Sequence, residues 1–454
     1  MKTKLVSILM ILVLCLSLMS GCSLSIKSPE KLMAPPKLTG DYQHLQDAFL
    51  KTENGDVEFV APVSGKYKSA FIIDDFNFDG LDDAIVFYTS KDDSKTVNIG
   101  VFRQTDDSNW EYVKKVTGAG NSVDSVIIED LNGDKIKEIT VGWNIFTLNR
   151  QFTVYQFGSA SDKEAFFEAG SWQYSMITTT DVDSDGQNDI FFVYLDTNSL
   201  VPSAYACIAS YDEIGNLILR SRIPVDGNIS GYSNIYIDSV NKSTVILVDA
   251  FKNEHDMITE VLMWDKSADS LVAPLFDTET QTTTATWRNN RRNVEDFDSD
   301  NHYEIPVGVE IVGSTYVING ELQEESLYYT RWSHFNGEKL KAEKYVIYNN
   351  SENYSLDIPS SWVGKITVNR LDTQLYFYRW NASSSEHMGN QLFSLVSHAV
   401  DAAGIDGYKK LSYYGSKAYE YCITAEGQEF GVKDSNIKNG FAITVSNQGG
   451  NVNE

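Results

Sequence analysis

Nine residues constrain this chain more than any others: Asp75-Phe76-Asn77-Phe78-Asp79-Gly80-Leu81-Asp82-Asp83. Oxygen-bearing side chains fall at positions one, three, five and nine, and glycine falls at six. Apolar runs flank the stretch, Ala70-Phe71-Ile72-Ile73 before it and Ala84-Ile85-Val86-Phe87 after it. Three further copies follow. Asp130, Asn132, Asp134 and Glu138 form the second, Asp181, Asp183, Asp185 and Asp189 the third, and Asp296, Asp298, Asp300 and Glu304 the fourth.

Carboxylates packed into so tight a turn repel one another. Two unit charges about 4 Å apart interact by roughly 4 kcal/mol at a near-surface dielectric of about 20. A cation at the centre removes that cost. Hard oxygen donors without histidine or cysteine side chains at the ligand positions favour calcium over zinc, and a many-oxygen loop favours calcium over magnesium. The backbone carbonyls of Leu81, Ile136, Gln187 and His302, at position seven, are the expected fifth donors. The alternative for any single copy is a solvated acidic hairpin turn with no metal, and recurrence in register is what favours the ion. An EF-hand is excluded, because it needs a glutamate at position twelve between two helices. Position twelve here is Val86, Val141, Phe192 and Val307, within runs too short and too β-branched for helix. Position six calls for a positive φ, which suits Gly80 and Gly186 and is tolerated by Asn301. Lys135 stands there in the second loop, so that site is expected to be the weakest.

The first aspartates lie at 75, 130, 181 and 296, so the last step is about twice the others. A unit without acids fills the gap. Ile235-Tyr236-Ile237-Asp238 and Thr244–Val248 are its flanking strands, with Val240 and Lys242 between them. Five units of about 50 residues, each with room for four short antiparallel strands, lead to an all-β propeller. A stacked solenoid is the alternative. From residue 351 the repeat stops, and residues 351–449 are expected to form a small α+β domain. Its strands are expected at 365–369, 374–380, 392–399, 408–413 and 418–424, with a short helix near Asp434–Gly440 capped by Asp434 or Ser435. A short helix over 41–52, capped by Asp41, with Tyr42, Leu45, Ala48 and Phe49 on one face and Gly55 ending it, opens the propeller region 39–350. Residues 450–454 read as a disordered tail.

The N-terminus reads as a targeting segment. Lys2 and Lys4 precede the apolar run Leu5–Leu18, which is too short for an ordinary membrane span. The ending Leu18-Met19-Ser20-Gly21-Cys22 resembles a bacterial lipobox, which implies a signal peptide over 1–21 and lipidation of Cys22. An ordinary signal peptide with a chance cysteine is the alternative. Residues 22–38, with Pro29, Pro35 and Pro36, read as a tether. Without the leader the chain carries 35 basic and 63 acidic residues, a net −28. That charge argues against nucleic acid as a partner and against a body lying flat on anionic lipid. The expected location is the extracytoplasmic face of the cell membrane. Cys207 and Cys422 sit in apolar strands and are expected to be buried thiols, with a disulfide between them as the alternative.

The segments Asp75-Phe76-Asn77-Phe78-Asp79-Gly80 and Asp130-Leu131-Asn132-Gly133-Asp134 resemble FG-GAP/VCBS-type repeats, the calcium-loop repeats of integrin-α-like propellers, over roughly residues 66–348. The resemblance implies that each loop joins the first two strands of a blade and holds calcium. The phenylalanine-glycine and glycine-alanine-proline landmarks of the integrin form are missing, so integrin-like ligand binding is not carried over. The arrangement of lipobox, short helix, repeats and tail is also similar to bacterial lipoproteins with VCBS-type repeats.

No metalloprotease, nucleophile-elbow or phosphate-loop motif is present, and Gly118-Ala119-Gly120 lacks the third glycine of a dinucleotide turn. One cluster stands out in so acidic a chain: Trp287, Arg288, Arg291 and Arg292. It reads either as a contact for an anion or sugar acid, or as local balancing of Glu295 and Asp296. The expected function is a membrane-anchored, non-enzymatic binder of a protein or glycan. The alternatives are a polysaccharide-acting enzyme with its site on the propeller face and a structural partner in a membrane assembly.

Overall fold

The computed structural model describes residues 40–53, 57–106, 109–146, 149–158, 166–196, 201–384 and 387–444. The leader, Cys22, the tether, Gly55 and the tail 450–454 lie outside the described residues. The described residues form an all-β, almost wholly antiparallel fold with three short α-helices: α1 (Asp41–Thr52), α2 (Ala425–Phe430) and α3 (Asp434–Gly440). Among the described residues no sheet closes on itself.

The first sheet contains β1 (Val57–Phe59), β2 (Phe71–Asp74), β3 (Asp83–Ser90), β4 (Asp93–Asp106) and β5 (Asn109–Thr117). Its first strand is split: β1 and β2 lie end to end along one edge of β3, with Phe59 opposite Tyr88 and Phe71 opposite Val86. The second sheet runs β6 (Ser122–Glu129), β7 (Glu138–Phe146), β8 (Asn149–Phe157), β9 (Phe166–Tyr174). The third runs β10 (Met176–Thr180), β11 (Asp189–Asp196), β12 (Ser203–Tyr211), β13 (Leu217–Val225). The fourth runs β14 (Gly231–Val240), β15 (Ser243–Phe251), β16 (Met257–Asp265), β17 (Ser270–Val272).

The second strands of the first, third and fourth sheets, β3, β11 and β15, carry apolar runs because each feeds two interfaces. Strand side chains alternate between faces. In β3, Ala84, Val86 and Tyr88 pack under α1 with Leu45 and Phe49, while Ile85 and Phe87 meet the second sheet. In β11, Ile190 and Phe192 face the second sheet, and Phe191 and Val193 face the fourth. In β15, Ile246 and Val248 face the third sheet, and Val245 and Leu247 the fifth. The sheets therefore follow one another with a shared core at every junction, and α1 covers the outer face of the first. That helix starts after Gly40, not on an Asp41 cap.

The boundary expected at 350/351 falls inside a hairpin. The fifth sheet is β18 (Ile305–Glu310), β21 (Tyr328–Phe335), β22 (Leu340–Asn349), β23 (Tyr354–Ile358) and β29 (Phe441–Ile443). Residues 354–358 thus belong to the last repeat, and a strand some 80 residues later completes its edge. The intervening chain builds a sixth, seven-stranded sheet. Its order is β20 (Glu321–Gln323), β19 (Thr315–Ile318), β24 (Ile366–Leu371), β25 (Gln374–Trp380), β26 (Met388–Ala399), β28 (Lys417–Ile423), β27 (Lys409–Tyr414). The β19–β24 pair is parallel. Fifth and sixth sheets share one core, where Tyr354, Leu356 and Ile347 meet Val368, Phe377 and Phe393.

The expected C-terminal helix is α3, but its N-cap is Lys433, whose N–H donates to Asn436 Oδ1. Asp434 instead accepts from Tyr421 and pairs with Lys409 at 2.8 Å. Helix α2 was not expected; Thr424 caps it by accepting from Gly427 N–H at 3.0 Å. Cys207 and Cys422 are free, Cys207 buried, and burial pushes its thiol up to about 12.

Candidate metal centre

Three of the four acidic loops join the first and second strands of their sheets: β2 to β3, β6 to β7 and β10 to β11. The fourth leads into β18, with an isolated bridge between Glu295 and Glu304 in place of a full first strand. All four repeat one hydrogen-bond scheme. The position-one carboxylate accepts the position-six N–H: Gly80 on Asp75 at 3.0 Å, Lys135 on Asp130 at 2.9 Å, Gly186 on Asp181 at 3.0 Å, Asn301 on Asp296 at 3.1 Å. The position-five carboxylate accepts the position-seven N–H of Leu81, Ile136, Gln187 and His302, from Asp79, Asp134, Asp185 and Asp300 respectively, at 2.7–2.9 Å. The position-nine carboxylate accepts the position-two N–H: Phe76 on Asp83, Leu131 on Glu138, Val182 on Asp189, Phe297 on Glu304.

Backbone angles explain the sequence preference. Position six has positive φ in every loop: Gly80 87°, Lys135 75°, Gly186 94°, Asn301 70°. Position four is also left-handed, at Phe78, Gly133, Ser184 and Ser299, with φ between 57° and 77°. Only Gly133 signals that in the sequence. The unit without acids is a two-residue hairpin between β14 and β15, with Asn241 at φ 53° and Lys242 at 67°, both left-handed as a type I′ turn requires. A tight turn replaces the loop.

The ninth-position acids are almost fully buried: Asp83, Glu138, Asp189 and Glu304. Burial pushes Asp83, Asp189 and Glu304 up to about 7 and Glu138 up to about 8. Neighbouring loop carboxylates push the same way. Arg103 opposes the shift at Asp83, with Nε 3.5 Å from its carboxylate.

The loops differ in how far their acids converge. Asp181, Asp183 and Asp189 each bring an oxygen within 4.8 Å of the others, and so do Asp296, Asp298 and Asp300. Asp185 and Glu304 stand outside those two triads. These triads can hold a metal ion. In the third loop, however, Asp183 is already paired with Arg220 at 2.6 Å. In the fourth, Glu304 Oε1 is buried with no hydrogen-bond partner. An unpartnered buried carboxylate oxygen, on which the charges of Asp298 and Asp300 also act, suits a cation. In the first and second loops Asn77 and Asn132 take position three, and each accepts the position-five N–H.

Neighbouring loops touch. Lys137 N–H donates to Phe76 O at 2.7 Å, and its ammonium pairs with Asp74 at 2.8 Å. Asn188 donates to Glu129, joining third loop to second sheet. Thr244 donates to Asp181 O at 2.7 Å. Asp238 accepts from Tyr303 N–H at 3.0 Å and meets His302 Nδ1 at 2.9 Å, which raises the pKa of that imidazole. The loops and the short hairpin thus line one end of the sheets in series. Asp238, in the unit that lost its own acids, was not expected to act on a neighbour.

The arginine cluster does not form a ligand contact as a group. Arg288 is fully buried, bonded to Asp249 at 2.8 Å, to Thr259 Oγ1 and to Arg292 O. Arg288 balances Asp249, while Arg292 acts on Glu295, lowering its carboxyl pKa against the effect of burial, as the balancing reading expects for Glu295. Arg292 stacks 3.2 Å from the Tyr348 ring, and Arg291 lies over Phe251 and donates to Glu254 O. Trp287 is half-buried, edge-on to Tyr328, Arg292 is half-buried too, and Arg291 is exposed.

The observed class is an all-β protein of serially packed, mainly antiparallel sheets with acidic turns along one end. No family model and no curated protein matches the chain. Among solved structures, a hypothetical protein from Leishmania major is similar over 65% of this chain and 91% of its own, at 11% identity and a TM-score of 0.23. At that TM-score the likeness carries no argument about fold or function. No helix among the described residues is long and apolar enough to cross a membrane.

Proposed function

We propose that this chain is a lipid-anchored, extracytoplasmic binding protein whose acidic loops hold calcium. The five repeated sheets are read as blades of the FG-GAP/VCBS propeller type, with α1 on the first and the seven-stranded sheet on the fifth. The calcium-stiffened body presents a surface to a protein or glycan partner and performs no chemistry of its own. The observation that supports the metal is the loop scheme itself. Four segments far apart in sequence fold to one donor pattern, each with a buried acid at position nine, and the fourth keeps an unpartnered carboxylate oxygen. Asp296, Asp298, Asp300 and Glu304 would hold the ion there, with the His302 carbonyl as a further oxygen.

Calcium bound only to the folded state stabilises it, by about 2.7 kcal/mol per site at hundredfold saturation. Scanning calorimetry of the mature protein with calcium and with excess chelator tests this. A higher melting temperature with calcium is expected, and identical curves would overturn the metal reading. The anchor is tested separately by Cys22→Ser, which should move the protein from the membrane fraction to the soluble one. A variant that stays with the membrane would refute lipidation.

A further inference from the structure

A wide space lies at the opposite end of the fourth and fifth sheets from the acidic loops. It is an open cleft of about 850 Å³ between the β15–β16 turn, the segment before the fourth loop and the approach to β21. Trp287 and Tyr328 form part of its wall, with ring centroids 5.4 Å apart and planes at 68°. Four carboxylates line it, those of Glu254, Asp256, Glu324 and Glu325, and no lysine or arginine does.

Nearby cations are committed elsewhere. Lys252 pairs with buried Asp226 at 2.8 Å. Arg291 lies over Phe251 and donates to the Glu254 carbonyl, leaving the Glu254 carboxylate unneutralised by that contact. Arg292 stacks on Tyr348, and Arg370 lies over Tyr316 at 4.5 Å. The cleft therefore joins uncompensated negative charge to two half-buried aromatic rings. Carboxylates supply long-range attraction focused by the cleft walls. Aromatic faces and edges select an organic cation over a hydrated metal ion, because a ring attracts an ammonium or guanidinium once water is shed. A sugar acid or phosphate would meet four like charges. A neutral sugar would use the rings but not the carboxylate excess.

We propose that this cleft binds an organic cation, an alkylammonium or guanidinium group, carried either by a free polyamine or by lysine and arginine side chains of a polypeptide. The proposal deepens the binding reading but does not depend on the metal: chelation reports on the loops and cation titration on the cleft, at opposite ends of the sheets.

The test is isothermal titration of the calcium-saturated mature protein with spermidine and with a capped peptide containing lysine and arginine. The same peptide with glutamine at those positions and a neutral oligosaccharide serve as controls. Either cation should bind, and which binds tighter distinguishes the two sources. Glu324→Gln with Glu325→Gln, at exposed positions, should weaken binding at least tenfold without moving the melting temperature. Trp287→Ala should do the same. The proposal is overturned if neither cation binds, if binding is unchanged in both variants, or if the glutamine peptide or the neutral sugar binds as tightly.

Discussion

Glu260 is sealed beside Asp226, accepting from the Asp226 N–H at 2.9 Å and from Thr283 Oγ1 at 2.7 Å. Burial raises its carboxyl to about 7 from an ordinary 4.5, with Asp226 pushing the same way and Lys252 opposing. Because the folded state holds this proton more tightly than the unfolded one, its contribution is complete below pH 4.5 and is lost as pH rises through 7. A shift of that size corresponds to on the order of 3 kcal/mol. Glu260→Gln should flatten the fall in melting temperature between pH 5 and 8, measured with calcium saturating so that the loops do not contribute. An unchanged slope would show that another group titrates. Arg288 makes the complementary point. Its guanidinium is neutralised by Asp249 in a fully buried site, so it specifies how the fourth and fifth sheets meet and has no surface to offer.

At position six, the second loop is the one whose residue fits its backbone least well. Lys135 holds a φ of 75°, a left-handed conformation that costs a residue with a Cβ about 1–2 kcal/mol. Lys135→Gly should therefore stabilise the metal-free protein by about 1 kcal/mol in urea unfolding, after the added chain entropy of glycine. Destabilisation would mean that the contact of Lys135 Nζ with the Phe78 ring, at 5.3 Å, matters more than the strain. The loops and their flanking strands were legible because acids at a fixed spacing and apolar runs are local signals. So was the unit without acids, whose strands have the same apolar runs. The left-handed fourth position was not legible, since Phe78 and Ser184 give no hint of it. The cleft was only half visible: Trp287 drew attention, but its partners come from segments some 30 to 40 residues away on either side. The edge at 350 was misplaced because Tyr354–Ile358 looks no different from the strands that follow, and only pairing with β22 assigns it.

Six cores in succession give the molecule its order: helix on first sheet, then each sheet on the next, through to the seven-stranded one. Most contacts that build the first four sheets come from residues near in sequence, and their cores are filled by hairpins from adjoining units. The fifth sheet differs, because its outer strand is Phe441–Ile443. During synthesis, everything up to about residue 272 can settle while the ribosome is still extending the chain. The fifth sheet must wait with one edge open until residues 441–443 have been made. A premature stop between residues 358 and 441 would release a product whose first sheets are built and whose fifth is unsealed, with a raw strand edge available to whatever chain comes next.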